Sequence, residues 1–335
     1  MNGSSSGCFK ALRATFAAGL LVGVFAGSAV HAQSERWDMP SAYGASSFIV
    51  QSFDDFADDV RDRTDGLIDI VVHPGGSLYQ GAEIMRAVRE GQIPIGERFM
   101  GAHANEDPVF GLDTLPFIAN SPEEAWELYQ ASRPALEEAL SERGLQLLYT
   151  QIWPPQGLYS VTEINSVEDM QGIRFRAYDD NTSRLAELLG ASPTRTEASE
   201  IAQAFSTGIA EAMTASAAIG ISQSMWDFVD YFYTVNAWMP KSVVFVNMGV
   251  WNGLDDATRT ELEEAAAEAE QKVWAMMEEA NAGDLETMRS NGLNVLEPSE
   301  TLSTELREIG VTMTEEWVAN AGQRGQAIID EYRSK

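Results

Sequence analysis

Phe48, Phe53, Phe56 and Val60 recur at helical spacing, while Asp54, Asp55, Asp58, Asp59 and Asp62 fill much of the opposite face. The pattern predicts an amphipathic helix over 48–63 with a solvated acidic side. A short apolar, β-branched run over 67–72 predicts a strand, which Pro74-Gly75-Gly76 ends. A helix over 81–90 and a strand-like segment over 93–100 follow. Ser121-Pro122-Glu123-Glu124 carries a helix start. The serine caps, the proline occupies a position whose N–H is unpaired anyway, and a glutamate stands three residues after the cap. The proline at 134 is expected to break that helix, which resumes to Arg143 and stops at Gly144. Residues 145–151 read as a buried strand. Trp153-Pro154-Pro155 then stiffens the chain into a candidate hinge.

A second alternating set follows. Over 173–176 strand alternation sends Ile173 and Phe175 one way and Arg174 and Arg176 the other. Helices over 182–189 and 198–205 lead to a small-residue strand over 210–216, and 243–246 is a further apolar strand. One long Ala- and Glu-rich helix spans 255–291 and ends at Asn291-Gly292; a last helix covers 303–332. Alternating strands and helices predict an α/β fold of two lobes with mixed sheets around a central cleft. The long helix is long enough to brace both lobes. The expected division is 33–153 plus 243–285 for lobe I, and 154–242 plus 286–335 for lobe II.

The N-terminus reads differently. Lys10 and Arg13 precede a mostly apolar run from Phe16 to Val30, and Val30-His31-Ala32 places small residues at both cleavage-determining positions. A signal peptide over 1–32 is expected, and with it a periplasmic location in a Gram-negative cell. The run is shorter than the roughly 20 residues a membrane-spanning helix needs, so no direct membrane insertion is expected. Cys8, the single cysteine, lies in this segment. Without it, disulfides, thiolate catalysis and Cys–zinc sites are excluded.

Charge narrows the partners. The chain carries 22 Lys and Arg against 51 Asp and Glu, a net charge of −29. Loss of Lys10 and Arg13 with the signal leaves about −31 by the same count. Such a surface repels nucleic acid and anionic lipid, so neither is an expected partner. It also repels carboxylates, so an anion site must bring its own arginine. The acidic excess suits high-salt, marine or halophilic surroundings, where screening shortens self-repulsion.

Catalytic motifs are few. Gly3-Ser4-Ser5-Ser6-Gly7 spells a nucleophile elbow but falls in the signal, outside any strand–turn–helix context. Beyond the signal the only imidazoles are His73 and His103. No catalytic set, metal site or cofactor is expected. Arg174 and Arg176 are more informative, because a guanidinium fork matches a carboxylate through two parallel hydrogen bonds. The residues alone leave two readings open for them: a ligand clamp, or a salt bridge to a surface acid.

Ser166-Val167-Glu168-Asp169-Met170-Gln171-Gly172-Ile173-Arg174-Phe175-Arg176 resembles the signature segment of the solute-binding proteins of TRAP (tripartite ATP-independent periplasmic) transporters. Pro74 to Tyr79, Glu83-Ile84, Ala87 to Gln92, Leu115-Pro116-Phe117 and Leu189 to Pro193 match further family stretches in order. The resemblance implies two lobes that close on one ligand, Arg176 as the clamp for its carboxylate, and delivery to the TRAP membrane permease subunits. One stretch departs. Where many members carry V-D-G-x-E-N, this chain has Ala210-Glu211-Ala212-Met213-Thr214-Ala215, without the asparagine. Thr214 and Ser216 are candidate substitutes. Trp153 and Tyr178 are candidate pocket walls, with His103, Tyr43 and Tyr79 as further candidates, whereas Trp226 and Phe228 read as core. Aromatic walls and one guanidinium favour a small organic acid: an aromatic monocarboxylate or a 2-oxo acid, with a uronate as close competitor. The competing readings are a periplasmic hydrolase or lyase, and the ligand-binding partner of a membrane sensor.

Overall fold

The structure, a computed structural model, describes residues 34–335, so the expected signal segment lies outside the described residues. The chain begins with β1 (Glu35–Pro40), α1 (Phe48–Arg63), β2 (Ile68–His73), α2 (Gly81–Arg89), β3 (Ile95–Phe99) and, after two 3₁₀ turns, α3 (Pro122–Ser141). It continues with β4 (Leu145–Ile152), β5 (Gly157–Ser160), β6 (Arg174–Ala177), α4 (Asp180–Leu188), β7 (Ser192–Arg195), α5 (Ile201–Ser206), β8 (Ala212–Ala215), α6 (Ala217–Ser222) and β9 (Tyr231–Tyr233). It ends with β10 (Lys241–Asn247), α7 (Met248–Gly253), α8 (Asp256–Ser290), β11 (Asn294–Leu296) and α9 (Glu300–Arg333).

Two sheet systems result, in a two-lobe α/β fold. In the first, β1 pairs parallel with β2, and β10 lies antiparallel between β3 and β4. The second is one mixed six-stranded sheet in the order β11-β9-β5-β8-β6-β7. The apolar stripe read from the sequence of α1 is buried as expected: Phe53, Phe56 and Val60 pack with Ile68, Tyr149 and Val244. The predicted serine cap forms, with the Glu124 N–H donating to Ser121 Oγ at 3.2 Å.

The long helix α8 joins the two cores. At 1.5 Å per residue its 35 residues span about 52 Å. Leu262, Ala265, Ala266 and Val273 pack in the core beneath α1, whereas Met288 packs with Tyr159 and Phe232 of the second sheet. Between these ends sits a buried carboxylate. Glu270 Oε1 accepts hydrogen bonds from Tyr129 Oη at 2.9 Å and from the N and Oγ1 of Thr150, both at 2.8 Å. Arg133 supplies a positive charge 3.5 Å from its other oxygen. Two further segments cross between the sheets and pair with each other: Trp153 N donates to Pro240 O and Gln156 N to Trp238 O, at 2.8 and 2.9 Å.

Several expectations need correction. Pro134 does not break α3, which runs through it. Ala131, Ser132, Ala135 and Leu136 are all buried around it, and the packing of both turns outweighs the hydrogen bond that proline cannot donate. The helix expected over 198–205 is a 3₁₀ turn followed by α5. The last helix is interrupted at Gly322, whose φ of 63° and ψ of −144° leave helical space.

Candidate functional site

The strand β6 decides the fate of its two arginines. It lies parallel between β8 and β7, with Arg176 opposite Met213 and Thr194. Arg174, at the start, is half exposed and forms an ion pair with Glu211 at 2.6 Å, so the surface salt-bridge reading describes this residue. Arg176, two positions on, is only 4% exposed. Its Nε donates to Thr196 O at 3.0 Å, and its guanidinium carbon lies 4.9 Å from the Tyr178 ring centroid. Among the described residues no carboxylate comes within ion-pair distance of it. Burial pushes its pKa down, the expected result of holding a cation out of water without a counter-charge.

Arg176 faces a cavity of about 60 Å³ that it shares with Tyr43, Trp153, Tyr178 and Ser216. The structure therefore brings five of the eight predicted residues together. The Tyr43 and Trp153 rings sit 4.5 Å apart at 56°, and the Trp153 indole N–H donates to Ser242 Oγ at 3.0 Å. Opposite them, Phe99 meets Tyr178 edge-on at 5.3 Å, and Tyr178 Oη accepts from the Trp238 indole at 3.0 Å. Ser216 Oγ is already engaged as the cap of α6, accepting from Ile219 N at 3.4 Å.

Three predicted residues lie elsewhere. Thr214 is one strand position from Ala215, so its side chain points to the other face and borders a separate apolar void with Leu158 and Trp238. His103 Nδ1 pairs with Glu106 Oε1 at 2.8 Å, and burial lowers its pKa; Ala102, its neighbour, lines the cavity in its place. Tyr79 is tied by its hydroxyl to Gln92 at 3.2 Å, away from the cavity walls. Trp226 and Phe228 pack against the core of the second sheet, in line with their core reading.

The cavity also contains residues that sequence reasoning missed. Arg98 is 5% exposed and its Nη2 meets Glu197 Oε1 at 3.4 Å. Phe99 and Gln156 complete the wall. A signal for Arg98 was present, since Glu97-Arg98 interrupts an otherwise apolar buried strand. Nothing distinguished Glu197 from the other acids of so acidic a chain. Near Arg176, Asp179 caps α4 by accepting from Thr182 N at 2.7 Å. Burial raises its carboxyl to about 6.

A buried guanidinium without a counter-ion, in an aromatic-walled gap, has the charge and geometry to pair with a small carboxylate. The sequence profile of bacterial extracellular solute-binding protein, family 7, matches residues 41–320. The chain belongs to this family. A TRAP solute-binding protein from a marine metagenome, specific for pyroglutamate and solved with co-purified pyroglutamate, is 42% identical to it. The two superpose with a TM-score of 0.89 over 90% of this chain and 100% of that one. A Bordetella pertussis extracytoplasmic solute receptor binding pyroglutamic acid is 39% identical, with a TM-score of 0.88 over 90% of this chain and 100% of the receptor. The C4-dicarboxylate-binding periplasmic protein DctP of Rhodobacter capsulatus is 25% identical over 76% of this chain and 75% of its own length. The chain is thus a TRAP transporter solute-binding protein with the two-lobe fold of that family, a family that carries organic acids in the periplasm for a membrane permease. No helix of the described residues is long and apolar enough to cross a membrane.

Proposed function

We propose that this TRAP solute-binding protein captures L-pyroglutamate, or a similarly compact cyclic lactam acid, and passes it unaltered to its permease. The observation that carries the reading is Arg176, buried and without a counter-charge at the wall of a small cavity. A ligand carboxylate supplies the missing charge as a bidentate partner. The rings of Tyr43, Trp153 and Phe99 cover the apolar methylenes of a five-membered ring. Glu197 offers an acceptor for a lactam N–H, and Arg98 and Gln156 offer donors for a lactam carbonyl.

Size and polarity separate this ligand from those expected from the sequence. The cavity holds roughly the equivalent of four to six water-sized spheres at 10–15 Å³ each. A uronate is larger and needs a hydrogen-bond partner for nearly every carbon, and unmatched hydroxyls cost about 1–3 kcal/mol each. A flat aromatic acid or a 2-oxo acid brings no N–H for Glu197 to accept. The relatives solved with pyroglutamate support the same choice. Their transport role also speaks against the hydrolase and lyase readings.

The lobe division of 33–153 plus 243–285 against 154–242 plus 286–335 belongs to this proposal, as does export by a signal over 1–32. On this reading Arg98 and Glu197 meet across the cleft as the lobes close. Thermal unfolding with L-pyroglutamate, D-galacturonate, pyruvate and benzoate tests the assignment. A ligand of the native state at 100-fold its Kd stabilises by about 2.7 kcal/mol. L-pyroglutamate should give the largest rise and be recovered intact. A larger rise with galacturonate, or consumption of the acid, would overturn the proposal.

A further inference from the structure

Behind the aromatic wall lies a carboxylate that never reaches the cavity. Glu97, in the middle of β3, is fully buried. Across the sheet it stands in one row with Val244 and Tyr149, and the next row on the same face holds Phe99, Ser242 and Gln151. Glu97 Oε2 accepts from Ser41 Oγ at 2.8 Å, and Ser41 Oγ accepts from the Tyr43 N–H at 3.2 Å. In that next row the Ser242 hydroxyl accepts the Trp153 indole N–H at 3.0 Å. Glu97 Oε1 itself closes no hydrogen bond among the described residues. Tyr43 therefore connects to the carboxylate through Ser41, and its ring sits 4.5 Å from that of Trp153.

We propose that Glu97 is a positioning residue: its carboxylate, acting through Ser41, sets the pose of Tyr43 and, through the contact between the two rings, that of Trp153, against which the ligand ring packs. The inference rests on the assignment of the Arg176 cavity as the ligand site. The chemistry is directional. A carboxylate only accepts, so Ser41 turns its proton toward it and a lone pair toward the Tyr43 N–H. An amide or a protonated acid at that place brings a donor. Ser41 must then accept from it, and its own proton loses its partner in a buried site.

Burial raises the pKa of Glu97, while Ser242, Ser41 and Arg98 oppose the shift. The charged or titratable groups facing it are Arg98 on β3, Tyr43 after β1 and Tyr149 on β4. Burial drives both tyrosines further up, so as pH falls the carboxyl is the member of this cluster that changes charge.

Glu97→Gln keeps the shape and removes the charge. In ligand-free protein the indole N–H resonance of Trp153, identified with Trp153→Phe, should move, and Ser41→Ala should move the same resonance. With L-pyroglutamate as probe, Glu97→Gln should weaken binding about tenfold and flatten the rise in affinity from acid to neutral pH. A folded Glu97→Gln with the wild-type resonance and the wild-type pH profile overturns the proposal. If that variant fails to fold, Ser41→Ala with an unmoved Trp153 resonance overturns it instead. The ligand-free resonance does not depend on which acid binds, so failure of the wild type to bind L-pyroglutamate counts against the ligand assignment alone.

Discussion

Two buried charges show how this molecule separates scaffold from site. Glu270, in the middle of the long helix α8, meets three donors and the Arg133 cation. Arg176, at the cleft, has a backbone carbonyl and an aromatic face but no counter-charge among the described residues. A buried ion whose partners are all in place fixes one arrangement of the chain; one left without a partner is costly until something else provides it. The difference fits Glu270 to holding α8 on β4 and α3, and Arg176 to the ligand role proposed for it.

Substitutions that remove each charge sharpen the contrast. The largest effect is expected for Glu270→Ala, which strands the Thr150 and Tyr129 donors and should lower unfolding stability by about 3–5 kcal/mol in chemical denaturation. Ligand affinity of the molecules that remain folded should hardly change. Arg176→Met should do the reverse. Calorimetric affinity for L-pyroglutamate should fall by about 100- to 1000-fold, roughly 3–4 kcal/mol. The ligand-free protein should unfold at the same or a higher temperature, because an uncompensated charge has been removed.

Next in size is a pH effect beside the clamp. Burial raises the Asp179 carboxyl from 3.8 to about 6. The native state keeps this proton where the unfolded chain has released it, so the contribution to stability is present below about 4 and is lost as pH rises toward 6. The stability difference between wild type and Asp179→Asn should therefore shift by about 2–3 kcal/mol across that window, in favour of the variant at higher pH. The smallest effect belongs to Arg174→Ala, two residues from the clamp. Its exposed pair with Glu211 is worth less than about 1 kcal/mol, and binding should be unchanged. A large loss of affinity in Arg174→Ala would erase the distinction between the two arginines of β6.

These contrasts also show what a sequence can carry. The cap at Ser121 and the stripe of α1 were legible because each rests on local chemistry or period. The strands β5, β9 and β11 are three or four residues long, too short to show a period. Pro134 misled because tertiary packing outweighed a local rule. At the site, alternation put Arg174 and Arg176 on one face but could not say that one ends in a salt bridge and the other at a cavity. Thr214 missed by one position, which in a strand is the whole difference between faces. The pairing of Arg98 with Glu197 was invisible because the two meet only once segments distant in sequence are brought together. The Glu97 network needed the register of β3, β10 and β4, which no local pattern specifies.

The most direct test of the central claim is a crystal structure of the protein with L-pyroglutamate. The account predicts the ligand carboxylate in the cavity, both oxygens about 2.8 Å from the terminal nitrogens of Arg176, and the ring against Tyr43 and Trp153. A carboxylate bound elsewhere, or Arg176 paired with a protein acid while ligand occupies the cavity, would contradict it.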